Sequence, residues 1–180
     1  GLFGGRLDVL VNNAGANWAA PLEAYPPAAF AKVVGLNLAA PFLLAQTMLP
    51  FLSAAASPGN PSRIINIGSI EGLKVSKFET YAYGASKSGL HHLTKMLANK
   101  LGPRHITVNA IAPGTFQSKM MRATIQKFGD ELVSNVPLGR LGSEEDMAGT
   151  SLWLSSRGGA FVTGSVIVVD GGFTVFSSRL

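Results

Sequence analysis

The chain of 180 residues contains no cysteine, which excludes a disulfide framework, a thiolate metal site and a cysteine nucleophile. Charge is also scarce, at 14% of residues against 47% hydrophobic. That balance lies far from a disordered composition and suffices for one packed domain. The 15 Lys and Arg are scattered rather than gathered into a run, so the net charge of +5 leaves no nucleic-acid footprint. The same positive balance suits a phosphate-bearing cofactor or an acyl carrier. The longest apolar stretch, 28–52, is interrupted by Lys32, Asn37, Pro41, Gln46 and Pro50 and reads as a buried core helix, not a membrane span. Residues 1–10 lack a basic start followed by an apolar core, so no cleavable signal is expected and the chain is placed in the cytoplasm. The alternative is peroxisomal, because Ser178-Arg179-Leu180 is a close variant of the Ser-Lys-Leu import tripeptide. His91, His92 and His105 are present without a G-x-S-x-G elbow, which argues against a Ser-His-Asp hydrolase.

Short β-branched runs alternate with helical stretches. Leu7–Val11, Arg63–Ile67, Thr107–Ile111 and Ser165–Val169 have the near-continuous apolar character of strands buried on both faces of a parallel sheet. Between them, 27–52 is helical with a break at Pro41, and Tyr81–Leu101 is a long helix stopped by Gly102-Pro103. The stretch from Pro113-Gly114 to Val136 has helical patches around 119–128. Ser143-Glu144-Glu145-Asp146 opens a helix in capping-box fashion. This alternation predicts an α/β fold with a doubly wound parallel sheet, in which ligands bind beyond the carboxyl ends of the strands. Those ends are Asn12–Gly15, Gly68-Ser69 and Ala112–Gly114.

Chemistry concentrates at the same ends. In Tyr83-Gly84-Ala85-Ser86-Lys87, four residues of helix bring Tyr83 and Lys87 to one face, about 6 Å apart. An ammonium at that distance favours a phenolate, which suits Tyr83 to acid–base work. Tyr81 lies nearer the opposite face. Ser69 follows a buried strand and a glycine, where its hydroxyl can reach the same crevice. Asn12-Asn13-Ala14-Gly15 places small residues at the neighbouring strand end, where a flat ring can approach closely.

Together, Asn-Asn-Ala-Gly after one strand, Ser69 after the next, Tyr83-x-x-x-Lys87, Pro113-Gly114 after the third and the closing Asp170-Gly171-Gly172 resemble the short-chain dehydrogenase/reductase family. The resemblance covers nearly the whole chain and is closest in character to 3-oxoacyl reductases. It implies a Rossmann-like oxidoreductase that passes a hydride between NADP(H) or NAD(H), with NADP preferred, and a carbonyl or secondary alcohol. A 3-oxoacyl thioester or another lipophilic ketone would be the substrate. It also implies roles. Tyr83 would be the general acid/base, and Lys87 would tune it and bind the nicotinamide ribose. Ser69 would bond the substrate oxygen, and Asn37 would hold a water leading to Lys87. Asn13, Ala14, Gly15, Pro113, Gly114, Phe116 and Ser118 would join Tyr83 and Lys87 in lining the cofactor. The family more often has an aliphatic residue and a threonine where Phe116 and Ser118 stand, and its spacing from serine to tyrosine is commonly one residue shorter. No metal site is expected, and a homo-oligomer is.

The family pattern opens with a strand and a Gly-rich turn that holds the cofactor pyrophosphate, and no such turn occurs here. The chain is therefore expected to be the C-terminal two-thirds of a single domain: an N-terminally truncated sheet with the N-terminal cofactor-binding part missing, the Leu7–Val11 strand left as an open edge, and no turnover by itself. The alternative to an enzyme is a non-catalytic scaffold that keeps the fold. Phe78, Phe116, Met120 and Met121 suggest an apolar substrate pocket.

Overall fold

A computed structural model describes residues 2–118 and 121–176. Four strands, β1 (Val9–Asn12), β2 (Ser62–Ile67), β3 (Ile106–Pro113) and β4 (Val166–Val169), form one sheet in that order, parallel throughout. The side-chain period of two directs successive residues of β2 to opposite faces. Ile64 therefore packs with Ala45, Leu52, Ala98, Leu101, Ile106 and Val108, while Ile65 packs with Ile111 and Leu154. Helices α2 (Ala40–Ala55) and α3 (Tyr81–Leu101) supply the first cluster, α1 (Pro27–Val34) packs on α3, and α5 (Glu144–Ser155) supplies Leu154 to the second. The sheet is covered on both faces, as its apolar strands require.

The break expected at Pro41 takes another form. Helix continues from Pro27 to Ala55 through a π-helical turn, Gly35–Ala39, in which the Ala40 N–H donates to the Gly35 carbonyl. Pro41 has no N–H to offer the Asn37 carbonyl four residues back, so the ladder widens there instead of kinking. Asn37 sits in this turn and is almost fully buried.

This long helix is apolar enough and long enough to cross a membrane by composition alone, yet only 22% of its most apolar window is buried. It packs one stripe, Val33, Asn37, Ala45 and Leu52, into the protein and leaves Phe30, Phe42, Leu43 and Phe51 exposed. The expectation of a buried core helix holds for that stripe only.

The reading of the chain as an N-terminally truncated fold without its cofactor-binding part is corrected. Among the described residues the N-terminal region is formed: β1 pairs with β2 along all four residues, and the turn after β1 and the whole 27–55 helix are in place. The sequence reading equated cofactor binding with the Gly-rich pyrophosphate turn. In open sheets of this kind ligands bind beyond the carboxyl ends of the strands, and those ends of β1, β2 and β3 are all formed.

Between β3 and α5, the helical patches resolve into α4 (Arg122–Ser134), interrupted at Phe128, whose φ of −131° and ψ of 17° are non-helical. Met120 and Ser178-Arg179-Leu180 lie outside the described residues. Ser143 caps α5 through a capping box with Asp146. After β4, Gly171 and Gly172 adopt left-handed φ of 63° and 91°, the region glycine enters without cost. Asp170 closes that turn by accepting from the Gly172 and Thr174 N–H groups.

Candidate active site

Three strand ends and the first two turns of α3 converge on one place. Thr80 precedes α3 and is held by the Glu71 carboxylate, to which its hydroxyl donates at 2.7 Å. Glu71 in turn donates its backbone N–H to Ser69 Oγ at 3.2 Å, so the segment after β2 is tied to the start of the helix that carries Tyr83. Ser69 Oγ spends a lone pair on this bond and keeps its O–H free to donate.

Tyr83 and Lys87 share a face as predicted, with Lys87 Nζ 5.5 Å from the Tyr83 ring centroid. Tyr81 points elsewhere: its hydroxyl donates to Glu79, and its ring meets Tyr25 edge-on at 5.5 Å. Lys87 is only 4% exposed. Its Nζ donates to the Ile67 carbonyl at 2.6 Å, the one acceptor it has among the described residues. Burial pushes the ammonium down from 10.5 to about 8. The Tyr83 phenol is pushed up, by burial first; the nearby Ser69 hydroxyl opposes this rise and Glu71 reinforces it. The expectation that Lys87 dominates the phenol is therefore corrected. The cation stands over the ring, and desolvation outweighs it.

Asn37 is committed to the protein. Its Oδ1 accepts from the Ala16 N–H at 2.9 Å, and its Nδ2 donates to the Ala16 carbonyl at 2.9 Å and to Ser86 Oγ at 3.1 Å. Both amide hydrogens are used, so the side chain can only accept a further bond. It clamps the turn after β1 to α3. Asn13, Ala14 and Gly15 lie exposed along that turn. A Cβ at Gly15 would stand 3.8 Å from Lys87 Nζ and 3.5 Å from Asn37 Oδ1, and its lack leaves that side of the ammonium open.

On the β3 side, Pro113 ends the strand, and Gly114 donates to the Val169 carbonyl with no room for a Cβ against Asp170. The Phe116 ring lies on Gly142, and the Ser118 hydroxyl accepts from the Met121 N–H. These two side chains are engaged with the polypeptide around α4 and α5.

Sequence reading missed the buried polar groups beneath the site. Asn12 Nδ2 donates to Asn66 Oδ1 at 2.8 Å, and Asn66 Nδ2 to Thr94 Oγ1 at 2.9 Å. The available signal was an asparagine in each of two apolar strands, and these pair directly in register. His91, one helical step beyond Lys87, was weighed only as a hydrolase residue. It lies buried under the Ser69 segment. The described residues contain no group of three or more His, Asp or Glu able to hold a metal.

Comparison with known proteins agrees with this arrangement. The family described as enoyl-(acyl carrier protein) reductase matches residues 3–174. The chain is 46% identical to a rhamnolipid-biosynthesis 3-oxoacyl-[acyl-carrier-protein] reductase of Pseudomonas aeruginosa, over 96% of this chain and 68% of that one. It is 36% identical to the 3-oxoacyl-[acyl-carrier-protein] reductase FabG of Thermotoga maritima, over 95% and 68%. Its fold matches the Pseudomonas aeruginosa RhlG/NADP active-site complex with a TM-score of 0.87 at 47% identity, over 93% of this chain and 66% of that one. A gluconate 5-dehydrogenase from Burkholderia cenocepacia in complex with NADP and tartrate gives 0.88 at 32%, over 96% and 66%. The chain thus spans about two thirds of the length of these relatives. With the Ser69, Tyr83 and Lys87 geometry in place and the family match running almost end to end, the chain belongs to the short-chain dehydrogenase/reductase family of NAD(P)-dependent oxidoreductases.

Proposed function

We propose that this chain reduces a 3-oxoacyl thioester or a similar lipophilic ketone with NADPH, with Tyr83 as the proton donor. The observation that carries this reading is Lys87: a buried ammonium with one backbone acceptor, beside a half-buried phenol and an open glycine. An ammonium carries three donors, so two remain for ligand oxygens. A ribose diol fits that demand, and Gly15 leaves space for it. NADPH over NADH is supported by the NADP found with RhlG and with the gluconate 5-dehydrogenase. The acyl substrate is supported by the activities named for the two reductases above.

When bound, the reduced nicotinamide supplies the hydride to the carbonyl carbon. This chain supplies everything at the oxygen. The free O–H of Ser69 donates to the substrate oxygen and fixes it in the crevice. Tyr83 then gives that oxygen its phenolic proton. A phenol is protonated at neutral pH, and burial of Tyr83 reinforces this by pushing it further up, the state needed for reduction and not for alcohol oxidation. Lys87 holds the ribose and favours the phenolate left after transfer. Asn37 fixes the turn that Asn13, Ala14 and Gly15 present to the cofactor. Pro113 and Gly114 would border the carboxamide through backbone groups, with Phe116 and Ser118 shaping that edge from behind.

Tyr83→Phe tests the reading. Turnover of a 3-oxoacyl thioester, followed by NADPH absorbance, should fall by about a thousandfold or more, with cofactor affinity by nucleotide fluorescence nearly unchanged. Unchanged turnover overturns it. Absence of saturable NADPH binding by the native protein would favour the scaffold reading instead. For assembly, the reading is a homo-oligomer joined through the exposed face of the 27–55 helix, supported by the contiguous Phe42 and Leu43 with Phe30 and Phe51.

A further inference from the structure

We propose that His91 is a positioning residue for Ser69, its neutral imidazole serving as the platform and backbone acceptor on which the segment 68–72 rests. The proposal deepens the functional reading above and rests on it for the role of Ser69. Tyr83, Lys87 and His91 follow one another at intervals of four along α3, so they form one stripe on one helix face. The first two residues of that stripe face the crevice. The third lies beneath the serine.

The fit is close. A Cβ on Gly68 would fall 2.1 Å from His91 Nε2, and one on Gly72 would fall 2.8 Å from His91 Cε1. Gly68, just before Ser69, thus leaves the space that the imidazole occupies, and Gly72 lets the segment close on both the imidazole and the α3 backbone at Lys87 and Ser88. Between them, the Ser69 N–H donates toward His91 Nε2 at 3.5 Å. An acceptor at Nε2 requires the proton on Nδ1. Nδ1 is buried and has no hydrogen-bond partner among the described residues. Burial, with the Lys87 and Lys95 charges on the same helix, keeps the ring neutral. An imidazolium would set an N–H against the Ser69 N–H.

His91 touches the Ser69 backbone, and Ser69 Oγ bonds Glu71 N–H in the same turn. Loss of the imidazole lets that turn sag and moves the hydroxyl away from the substrate oxygen. His91 thus acts on catalysis only through Ser69. A double-mutant cycle isolates that dependence.

His91→Leu is expected to lower kcat about tenfold, the worth of one misplaced hydrogen bond, with the KM for NADPH unchanged. His91→Gln, which restores an acceptor at the Nε2 position, is expected to recover most of the loss. In a Ser69→Ala background His91→Leu should cost less than about twofold more, because no hydroxyl is left to position. An equal loss in both backgrounds, or Gln as damaging as Leu, overturns the proposal. If Leu does not fold, judged by thermal melting, His91→Asn, whose shorter amide does not reach the Nε2 position, carries the cycle with and without Ser69→Ala. Independently of activity, nitrogen NMR of the native imidazole should show a neutral ring with the proton on Nδ1 at pH 7, and the Nε2–H tautomer or a charged ring overturns it. Full activity of Tyr83→Phe would defeat the functional reading. Loss of activity in Tyr83→Phe, alongside additive His91 and Ser69 effects, would defeat this inference alone.

Discussion

Lys87 sets a conflict between stability and function that can be measured. Its folded-state pKa, about 8, lies below the usual 10.5 because the ammonium is buried. Between those values the unfolded chain binds more protons than the folded one, so stability rises with pH through that window. Below pH 8 the penalty is constant, on the order of 3 kcal/mol at about 1.4 kcal/mol per unit. Lys87→Met should therefore raise the melting temperature at pH 7 and flatten the pH dependence of urea unfolding between pH 8 and 10. It should also remove at least about 99% of turnover. A melting temperature at or below that of the native protein would show that Lys87 is not under this strain. Ser69 and Tyr83 could be picked out from sequence because each follows a recognisable local signal, a strand end or a helical spacing. The raised phenol of Tyr83 could not, because desolvation depends on everything packed around it.

At the scale of elements, the walls of the crevice are joined by weak contacts. Lys77 reaches from the segment before α3 to Glu131 on α4, and the Phe78 and Phe128 rings lie 6.0 Å apart at the point where α4 breaks. Both members of the ion pair are about half exposed, and such a pair contributes at most about 1 kcal/mol. Aromatic burial dominates instead. Phe128→Ala should speed hydrogen exchange across 122–134 by about tenfold or more and raise KM for long acyl substrates, whereas Glu131→Ala should change exchange little beyond what about 0.5 M salt does to the native protein. The reverse order would make the ion pair the principal latch. The sequence reading found only helical patches around 119–128 because α4 begins without a capping residue and bends at Phe128, so no uninterrupted 3.6-residue period marks it. By contrast, the 81–101 helix was legible to the residue, since Gly102-Pro103 stops it. The π-turn around Asn37 was not, because a widened ladder leaves the side-chain pattern almost unchanged.

Across the whole molecule, stability draws on one face of the 27–55 helix and the proposed assembly on the other. Leu52 is fully buried among Ile64, Leu101 and Val108, and Leu52→Ala should cost about 2 to 5 kcal/mol by urea denaturation. Ten residues earlier, Phe42 is 43% exposed and Leu43 55%. Phe42→Asp with Leu43→Lys should leave the fold intact and shift the species seen by light scattering to the monomer. A mass equal to one chain for the native protein would end the oligomer reading.

Strand periodicity, the Tyr83-x-x-x-Lys87 spacing and the Asn12–Gly15, Gly68-Ser69 and Pro113-Gly114 strand ends are local patterns, and the sequence alone determined from them a doubly wound parallel α/β sheet with its chemistry at the carboxyl edge. Tertiary structure decided what depends on packing. It showed that the N-terminal region forms with the rest of the sheet, that Asn37 is spent on Ala16 and Ser86, and that His91 lies under Ser69. Burial also pushed the Tyr83 phenol up and the Lys87 ammonium down. Burial, register and desolvation are sums over residues far apart in the chain, and no local pattern encodes such a sum.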